Sequence, residues 1–141
     1  MDVDFSRLEQ LAAKLNQSSE SLNEAIRLVE TKFAQLRLGV EASVELERSP
    51  VLSGGTPIGE VVSYFAYVKR TGKWGLYFID IEDSGEELSC EPFSQASREY
   101  RLKAINKVPE LVKRLEQKAE ELLKEIRSSQ QTVESILEKQ A

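Results

Sequence analysis

The chain has 141 residues, with 40% hydrophobic and 30% charged side chains and a formal net charge of −5. This length and composition predict one folded domain and exclude an intrinsically disordered chain. Residues 39–93 carry a net charge of −6, from ten acidic and four basic residues, which disfavours broad binding to nucleic-acid phosphates.

The first predicted element is a long helix. Its apolar residues alternate at spacings of four and three, the heptad pattern that keeps one helix face toward a partner helix. Gly39 is placed to end this helix. Ser6 with Glu9 matches a capping box, and Asp2 or Asp4 are alternative caps. The seam comprises Met1, Phe5, Leu8, Ala12, Leu15, Ser19, Leu22, Ile26, Val29, Phe33 and Leu36.

A strand and a loop are predicted next. Residues 40–47 alternate apolar and polar side chains, which indicates a strand with one face in water. Residues 49–59 contain two prolines and three glycines, so we expect a loop there. This glycine-rich stretch lacks the spacing of a phosphate-binding loop, and a strand rather than a helix follows it.

Two apolar strands follow, over residues 61–70 and 73–81, and the short turn Thr71-Gly72 predicts that they form a hairpin. Both strands are apolar on both faces, so each face needs a cover, which is a helix, a second subunit or a ligand. Eight of the ten aromatic residues lie between residues 64 and 100: Tyr64, Phe65, Tyr67, Trp74, Tyr77, Phe78, Phe93 and Tyr100.

The aromatic residues have two interpretations, which stay open. They fill a small core, or they form a partly exposed platform for a protein partner, since Tyr and Trp are favoured at interfaces. Stacking of single-stranded nucleic acid is a minor alternative, because acidic residues lie close by. The candidate binding residues in this region are Tyr67, Lys69, Arg70, Lys73, Trp74 and Tyr77.

The acidic stretch DIEDSGEELSCE resembles a calcium loop only weakly. Asp80, Glu82, Ser84, Gly85 and Glu91 fall at positions 1, 3, 5, 6 and 12 of such a loop. A strand precedes the stretch where a helix is expected. The alternative interpretation is a solvated acidic loop that leads to a short edge strand, LSCEPF.

The C-terminal part is predicted to be a short helix from Ser94 to Lys107, then a kink or brief break, and a long helix from Pro109 to Lys139. Its seam comprises Ile105, Val108, Val112, Leu115, Ala119, Leu122, Ile126, Ser129, Val133 and Ile136, widened by Leu111, Leu123 and Leu137. Arg98 and Arg101 share a face near the start of the short helix, where anions are favoured. They are candidate binding residues for an anion, or they pair with the acids of residues 80–91.

The residues that carry most enzyme chemistry are scarce. The chain has no histidine, which removes the commonest general base and metal ligand. Its single cysteine, Cys90, cannot form an intramolecular disulfide or a thiolate metal cage. We therefore expect a protein that is not an enzyme and that has no cofactor and no metal.

The sequence thus predicts an α+β fold. Residues 1–38 form one stalk helix, residues 39–93 a head with three or four antiparallel strands, and residues 94–141 a short helix and the second stalk helix. The two long helices are expected to pair as an antiparallel coiled coil. This order of elements resembles the layout of prefoldin chaperone subunits, and the resemblance is one of layout alone.

The leading functional hypothesis is a protein–protein interaction module or adaptor, expected as a homodimer, that acts through the aromatic head or the stalk. The alternatives are a prefoldin-like holdase and a small-ligand or anion-binding protein. Nucleic acid is not an expected partner, because residues 39–93 are acidic. A membrane is not expected either, because no apolar run is long enough to span a bilayer. The acidic N-terminus lacks the features of a signal peptide, which favours a cytoplasmic protein.

Overall fold

The computed structural model describes residues 2–140. They form two α-helices and a four-stranded antiparallel sheet, in which the strands are neighbours in chain order. The predicted α+β class, with one helix before the sheet and one after it, is confirmed. In order, the elements are α1 (Ser6–Leu36), β1 (Ala42–Ser53), β2 (Thr56–Arg70), β3 (Lys73–Glu82), β4 (Glu87–Pro92), a 3-10 turn (Phe93–Gln95) and α2 (Arg98–Gln140).

The β2–β3 hairpin matches the prediction. Arg70 pairs with Lys73, and the two turn residues between them, Thr71 and Gly72, have φ angles of 50° and 80°. Positive φ at both central residues is the type I′ geometry, whose twist matches that of antiparallel strands. The predicted edge strand after the acidic stretch is also present, as β4.

The loop predicted for residues 49–59 is wrong, because β1 continues to Ser53 and β2 begins at Thr56. Two glycines with positive φ close this hairpin. The prolines are tolerated because each lacks a neighbouring strand on one side. Pro50 lies in β1, which is an edge strand, and Pro57 lies in the first part of β2, before the pairing with β3 begins.

The ends of α1 differ from the prediction in detail. The helix begins at Ser6, whose backbone N–H donates to the Asp4 carboxylate at 2.9 Å. The capping box with Glu9 is not formed, because Ser6 lies inside the helix rather than before it. The helix ends just before Arg37, which adopts a left-handed conformation with φ of 48°, so the predicted stop at Gly39 comes two residues late.

α2 begins at Arg98 rather than at Ser94, which lies in the 3-10 turn. The backbone N–H of Tyr100 donates to the Ser97 hydroxyl oxygen at 3.4 Å, and that of Arg101 donates to the Ser97 carbonyl at 3.0 Å. Ser97 therefore caps this helix, three residues later than the predicted cap.

A kink or a brief break is predicted at Pro109, and the break is not present, because α2 is one continuous helix of 43 residues. Proline lacks the N–H that would bond the carbonyl of Ile105, and this usually kinks or breaks a helix. Here Pro109 is on the exposed side of α2, while Ala104 and Leu111 on either side of it are completely buried. Packing on both sides of the proline therefore holds the helix together.

The main hydrophobic core lies between the two helices and one face of the sheet. Its buried members come from both helices, three strands and the 3-10 turn with the residue that follows it. They are Ile26, Phe33, Ala42, Val44, Phe65, Tyr67, Leu76, Phe78, Phe93, Ala96, Ala104, Leu111 and Leu115. Both helices thus pack on the sheet rather than on each other along their length.

The two helices run in the same direction where they lie side by side, so the antiparallel stalk is not what the structure shows. Arg101 of α2 donates a hydrogen bond to Asn23 of α1. Further along both helices, Phe33 and Leu36 line a groove together with Val112 and other α2 residues. Residue numbers therefore increase together in the two helices.

The helices are parallel because of the path that the chain takes from β4 to α2. α2 runs antiparallel to β1: Lys103 contacts Glu47, and further along α2 Lys118 contacts the carbonyl of Glu41. α1 also runs against β1, because only residues 37–41 separate the two elements. The 3-10 turn takes the chain back over the sheet before α2 begins, and this return makes the helices parallel.

Candidate interaction surfaces

Parallel helices leave their free ends at opposite ends of the sheet. Residues 6–18, which we call the α1 arm, are all exposed and precede the part of α1 that packs on the sheet. Residues 121–140, the α2 arm, are all exposed and follow the packed part of α2. The heptad seams continue along both arms, so each arm presents an apolar stripe that nothing within residues 2–140 covers.

The α2 arm is the larger of these surfaces. It is about 30 Å long at 1.5 Å per residue. Its apolar side chains are on average about half exposed; Leu122 is 37% exposed and Leu137 is 62% exposed. The stripe comprises Leu122, Leu123, Ile126, Val133, Ile136 and Leu137.

The α1 arm presents a shorter stripe. Leu8, Leu11 and Leu15 are exposed, the last at 55%, and Phe5 immediately before the helix is also exposed. Its seam becomes buried only near Ile26, where the helix reaches the sheet. The sequence pattern predicts that the seams of the two helices pair with each other. In the structure, the α1 arm and the α2 arm instead present two separate apolar stripes.

The base of the α2 arm is fixed to the edge of the sheet. Arg114 Nη1 donates to the carbonyl of Ser43 at 2.7 Å, and Lys118 Nζ donates to the carbonyl of Glu41 at 2.6 Å. Both acceptors are backbone groups at the start of the edge strand β1 or just before it. These contacts cover a strand edge that could otherwise pair with another chain, and they set the direction in which the arm leaves the sheet.

An apolar groove lies between the end of α1 and the middle of α2. It has a volume of about 350 Å³, and its apolar lining comprises Phe33, Leu36, Leu38, Val112, Leu115 and Ala119. Ala119 is one helical turn before Leu122. The groove therefore continues into the stripe of the α2 arm.

Most of the aromatic cluster is core. Tyr67 is completely buried, and its ring lies 5.3 Å from that of Trp74 in a stacked arrangement and 5.7 Å from that of Phe33. Burial raises the pKa of the Tyr67 phenol, whose hydroxyl has no hydrogen-bond partner within residues 2–140. Phe65, Phe78 and Phe93 are buried beside this pair.

The candidate binding residues of the hairpin do not share a face. Side chains alternate along a strand, so Tyr67, Lys69 and Trp74 point to the helix-covered face. Arg70, Lys73 and Tyr77 point to the opposite face, where Arg70 forms an ion pair with Glu87 at 2.5 Å. No single platform of these residues exists within the described chain.

The opposite face of the sheet carries a small apolar cluster of its own. Ala66, Val68 and Ile79 are buried there, with Tyr77 and Ile81 packed against them. A shallow concavity of about 360 Å³ lies over these strands. Among residues 2–140, both helices contribute buried side chains to the core on the other face, and Lys118 of α2 reaches the concavity on this one. Within the described chain, the predicted helical cover is therefore present on one face.

The basic cluster near the start of α2 turns inward. Arg101 bonds Asn23 of α1, while Arg98 is exposed, so the two do not form one anion site. Lys103 Nζ lies 2.8 Å from one oxygen of Glu47, and the Tyr100 hydroxyl donates to the other at 2.5 Å. The cluster thus pairs with α1 and β1 rather than with the acids of residues 80–91.

These contacts change the pKa values of Glu47, Tyr100 and Lys103. The hydrogen bonds from Lys103 and Tyr100 lower the pKa of the Glu47 carboxyl. The bond to Glu47 raises the pKa of both Tyr100 and Lys103. Sequence reasoning missed Glu47 because it is one of several alternating glutamates in its strand. A bulge between residues 45 and 47 is what turns its side chain to the helices.

The weak calcium-loop hypothesis is not matched by the geometry. The Asp80 carboxylate accepts hydrogen bonds from the hydroxyls of Ser63 at 2.6 Å and Ser89 at 3.0 Å. Within residues 2–140 there is no group of three acidic, cysteine or histidine side chains that could hold a metal ion. Asp80, Glu82 and Glu91 are therefore not brought together, and Ser84 lies in the turn that follows β3.

None of the helices within residues 2–140 combines the length and the hydropathy that a membrane span requires. The arms are amphipathic rather than apolar on all sides. Comparison with known proteins found no matching protein-family model, curated protein or solved structure at a significant level.

Proposed function

We propose that this protein is a non-enzymatic protein–protein interaction module, and that its projecting helical arms bind amphipathic helices. The observation that supports this proposal is the exposed apolar stripe of the α2 arm. A helix with an apolar stripe and a polar opposite face is typical of an element that packs against another one. The absence of histidine from the sequence and its single, exposed cysteine agree with a role in binding.

The size of the stripe indicates the kind of partner. Full burial of one such side chain contributes about 1.5–3 kcal/mol, so covering the exposed half of six contributes roughly 5–9 kcal/mol. Association itself costs about 4–15 kcal/mol. A polar partner surface would leave little surplus, whereas a second apolar stripe doubles the favourable part. The arm therefore fits a partner helix with a stripe of its own.

The test is the mass of the full-length protein in native mass spectrometry and sedimentation, alone and with captured partners. Ile126→Glu with Val133→Glu places two charges in the stripe, and we expect it to abolish the complexes. The matched control is Ser128→Glu with Gln131→Glu, which adds the same charge to the polar side of the same arm. If both variants keep the complexes, or both lose them, the stripe is not the binding surface.

A holdase is the second candidate, and the α1 arm favours it. The exposed residues Leu8, Leu11 and Leu15 give the molecule a second apolar stripe at the other end of the sheet. A holdase would suppress aggregation of several unrelated unfolded proteins at stoichiometric amounts. A module with a specific partner would form one stoichiometric complex and would leave that aggregation unchanged.

A further inference from the structure

We propose that the α2 arm binds the α2 arm of a second copy of this chain, as an antiparallel two-stranded coiled coil centred on Gln131. This inference rests on the proposed function and names its partner. The exposed apolar residues of the seam are Leu122, Ile126, Val133 and Ile136, and Gln131 lies midway between Ile126 and Ile136. An antiparallel pair centred there brings three of these four residues of each copy against the seam of the other.

The seam residues match each other in this register. Residues at equal distances on either side of Gln131 face each other across the pair. Ile126 faces Ile136 of the second copy, and Ser129 faces Val133 of the second copy. The small polar Ser129 thus meets a β-branched residue rather than another serine. The Ile126–Ile136 layers lie outside the Ser129–Val133 layers, and Leu122 faces Gln140 beyond them.

The residues beside the seam also match. In an antiparallel pair, the residues just before every second seam position meet on one flank of the coil. The residues just after the remaining seam positions meet on the other flank. On the first flank Glu125 faces Lys139 of the second copy, and the two-fold symmetry repeats this ion pair. On the second flank Leu123 faces Leu137 of the second copy, so both leucines that widen the stripe are covered.

A parallel pair of the same arms fits less well. It places Ser129 against Ser129 of the second copy in the seam and gives Glu125 an uncharged neighbour, Gln130. It also brings both sheet regions to the same end of the coil, and residues 39–93 carry −6 in each copy. Charge complementarity therefore favours the antiparallel pair.

The rest of the molecule accommodates this pair. In this register Gln140 of the second copy lies beside Leu122, and the half-buried Ala119 marks where the arm meets the groove between α1 and α2. The two sheets then lie at opposite ends of the coil, away from each other. Because both copies use the same surface, the assembly closes at two chains.

The test is the dissociation constant of the full-length dimer, measured by sedimentation equilibrium at low salt. Glu125→Lys replaces two attractive pairs by two repulsive ones, and we expect about tenfold weaker association. Glu125→Lys with Lys139→Glu exchanges the charges and should restore the wild-type constant to within about twofold. Glu138→Lys, which makes the same charge change on the outer side of the coil, is the control and should leave it unchanged.

Two results would overturn the inference, and each contradicts a different part of it. A dimer in which the charge exchange restores nothing contradicts the antiparallel register but keeps the arm as a binding surface. A protein that stays monomeric at every concentration contradicts self-pairing. The proposed function itself fails only if no complex of any kind depends on Ile126 and Val133.

Discussion

Arg101 on α2 donates a hydrogen bond to Asn23 on α1, and further along the two helices Leu36 shares a groove with Val112, so the helices run in the same direction. Arg101 is half-buried; its Nη1 is the donor to Asn23, and its Nε has no hydrogen-bond partner within residues 2–140. The pair joins the part of α1 that follows the exposed arm to the first turn of α2. It is the direct contact that an antiparallel arrangement would not produce.

We expect Asn23→Ala to destabilise the protein by about 1–2 kcal/mol, because it leaves a half-buried guanidinium without its acceptor. The measurement is the free energy of unfolding from urea denaturation monitored by far-UV circular dichroism. Asn16→Ala, at an exposed position of the same helix, is the control and should change it by less than about 0.5 kcal/mol. Equal effects at both positions would mean that the contact with Arg101 contributes nothing.

Leu115 and Leu122 occupy equivalent seam positions one heptad apart, yet Leu115 is 2% exposed and Leu122 is 37% exposed. Leu115→Ala should therefore cost about 2–5 kcal/mol of unfolding free energy, through lost burial and the cavity it leaves. In dilute protein, Leu122→Ala should cost less than about 1 kcal/mol and should chiefly weaken association. A large loss of stability from Leu122→Ala in dilute protein would mean that the arm packs within its own chain.

The pH dependence of stability should report the Glu47 contacts. Lys103 and Tyr100 lower the pKa of Glu47 in the folded state below its ordinary value of 4.5. A lowered folded pKa stabilises the protein above the unfolded pKa, and this stability is lost as the pH falls through the folded value. The loss is expected below about pH 4.5.

Thermal melting of the wild type and of Glu47→Gln between pH 3 and pH 7 measures this contribution. At pH 7 the variant should melt lower, because Lys103 loses a charged partner. The difference should shrink as the pH falls below about 4.5. A difference that stays constant over the whole range would mean that ionisation of Glu47 does not matter.

Pro109→Ala should stabilise the protein, by up to about 3 kcal/mol, because α2 is continuous there and alanine restores the N–H that can bond the carbonyl of Ile105. The unfolding free energy from urea denaturation measures the gain. A loss of stability would instead indicate that the helix needs a bend at this position, as the sequence pattern suggests.

The sequence predicts the two helices and most strands well, because their signals are local. The three-four spacing and the alternation of residues 40–47 specify element type and which side is apolar. The misjudged segments are those where context overrides the local preference. Pro50 and Pro57 are compatible with strands because each lacks a neighbouring strand on one side. Pro109 is compatible with a helix because Ala104 before it and Leu111 after it are buried.

The pairing of the helices could not be predicted in the same way. A heptad seam specifies that a helix face is apolar, but a sheet, another helix or a second chain can all cover it. The direction of α2 depends on how the chain crosses the sheet at Phe93–Gln95, and no residue pattern in that turn specifies the crossing. The division of Tyr67 and Tyr77 between two faces, by contrast, follows from strand alternation once the strands are known.

The continuity of α2 also sets a distance. From Lys118, which is bonded to the sheet edge, the helix runs without interruption to Gln140, about 33 Å away at 1.5 Å per residue. Whatever binds the end of the arm is held at that separation from the sheet. Inserting seven residues into the arm would lengthen this spacing by about 10 Å while keeping the stripe on the same side, so the length of α2 determines this separation.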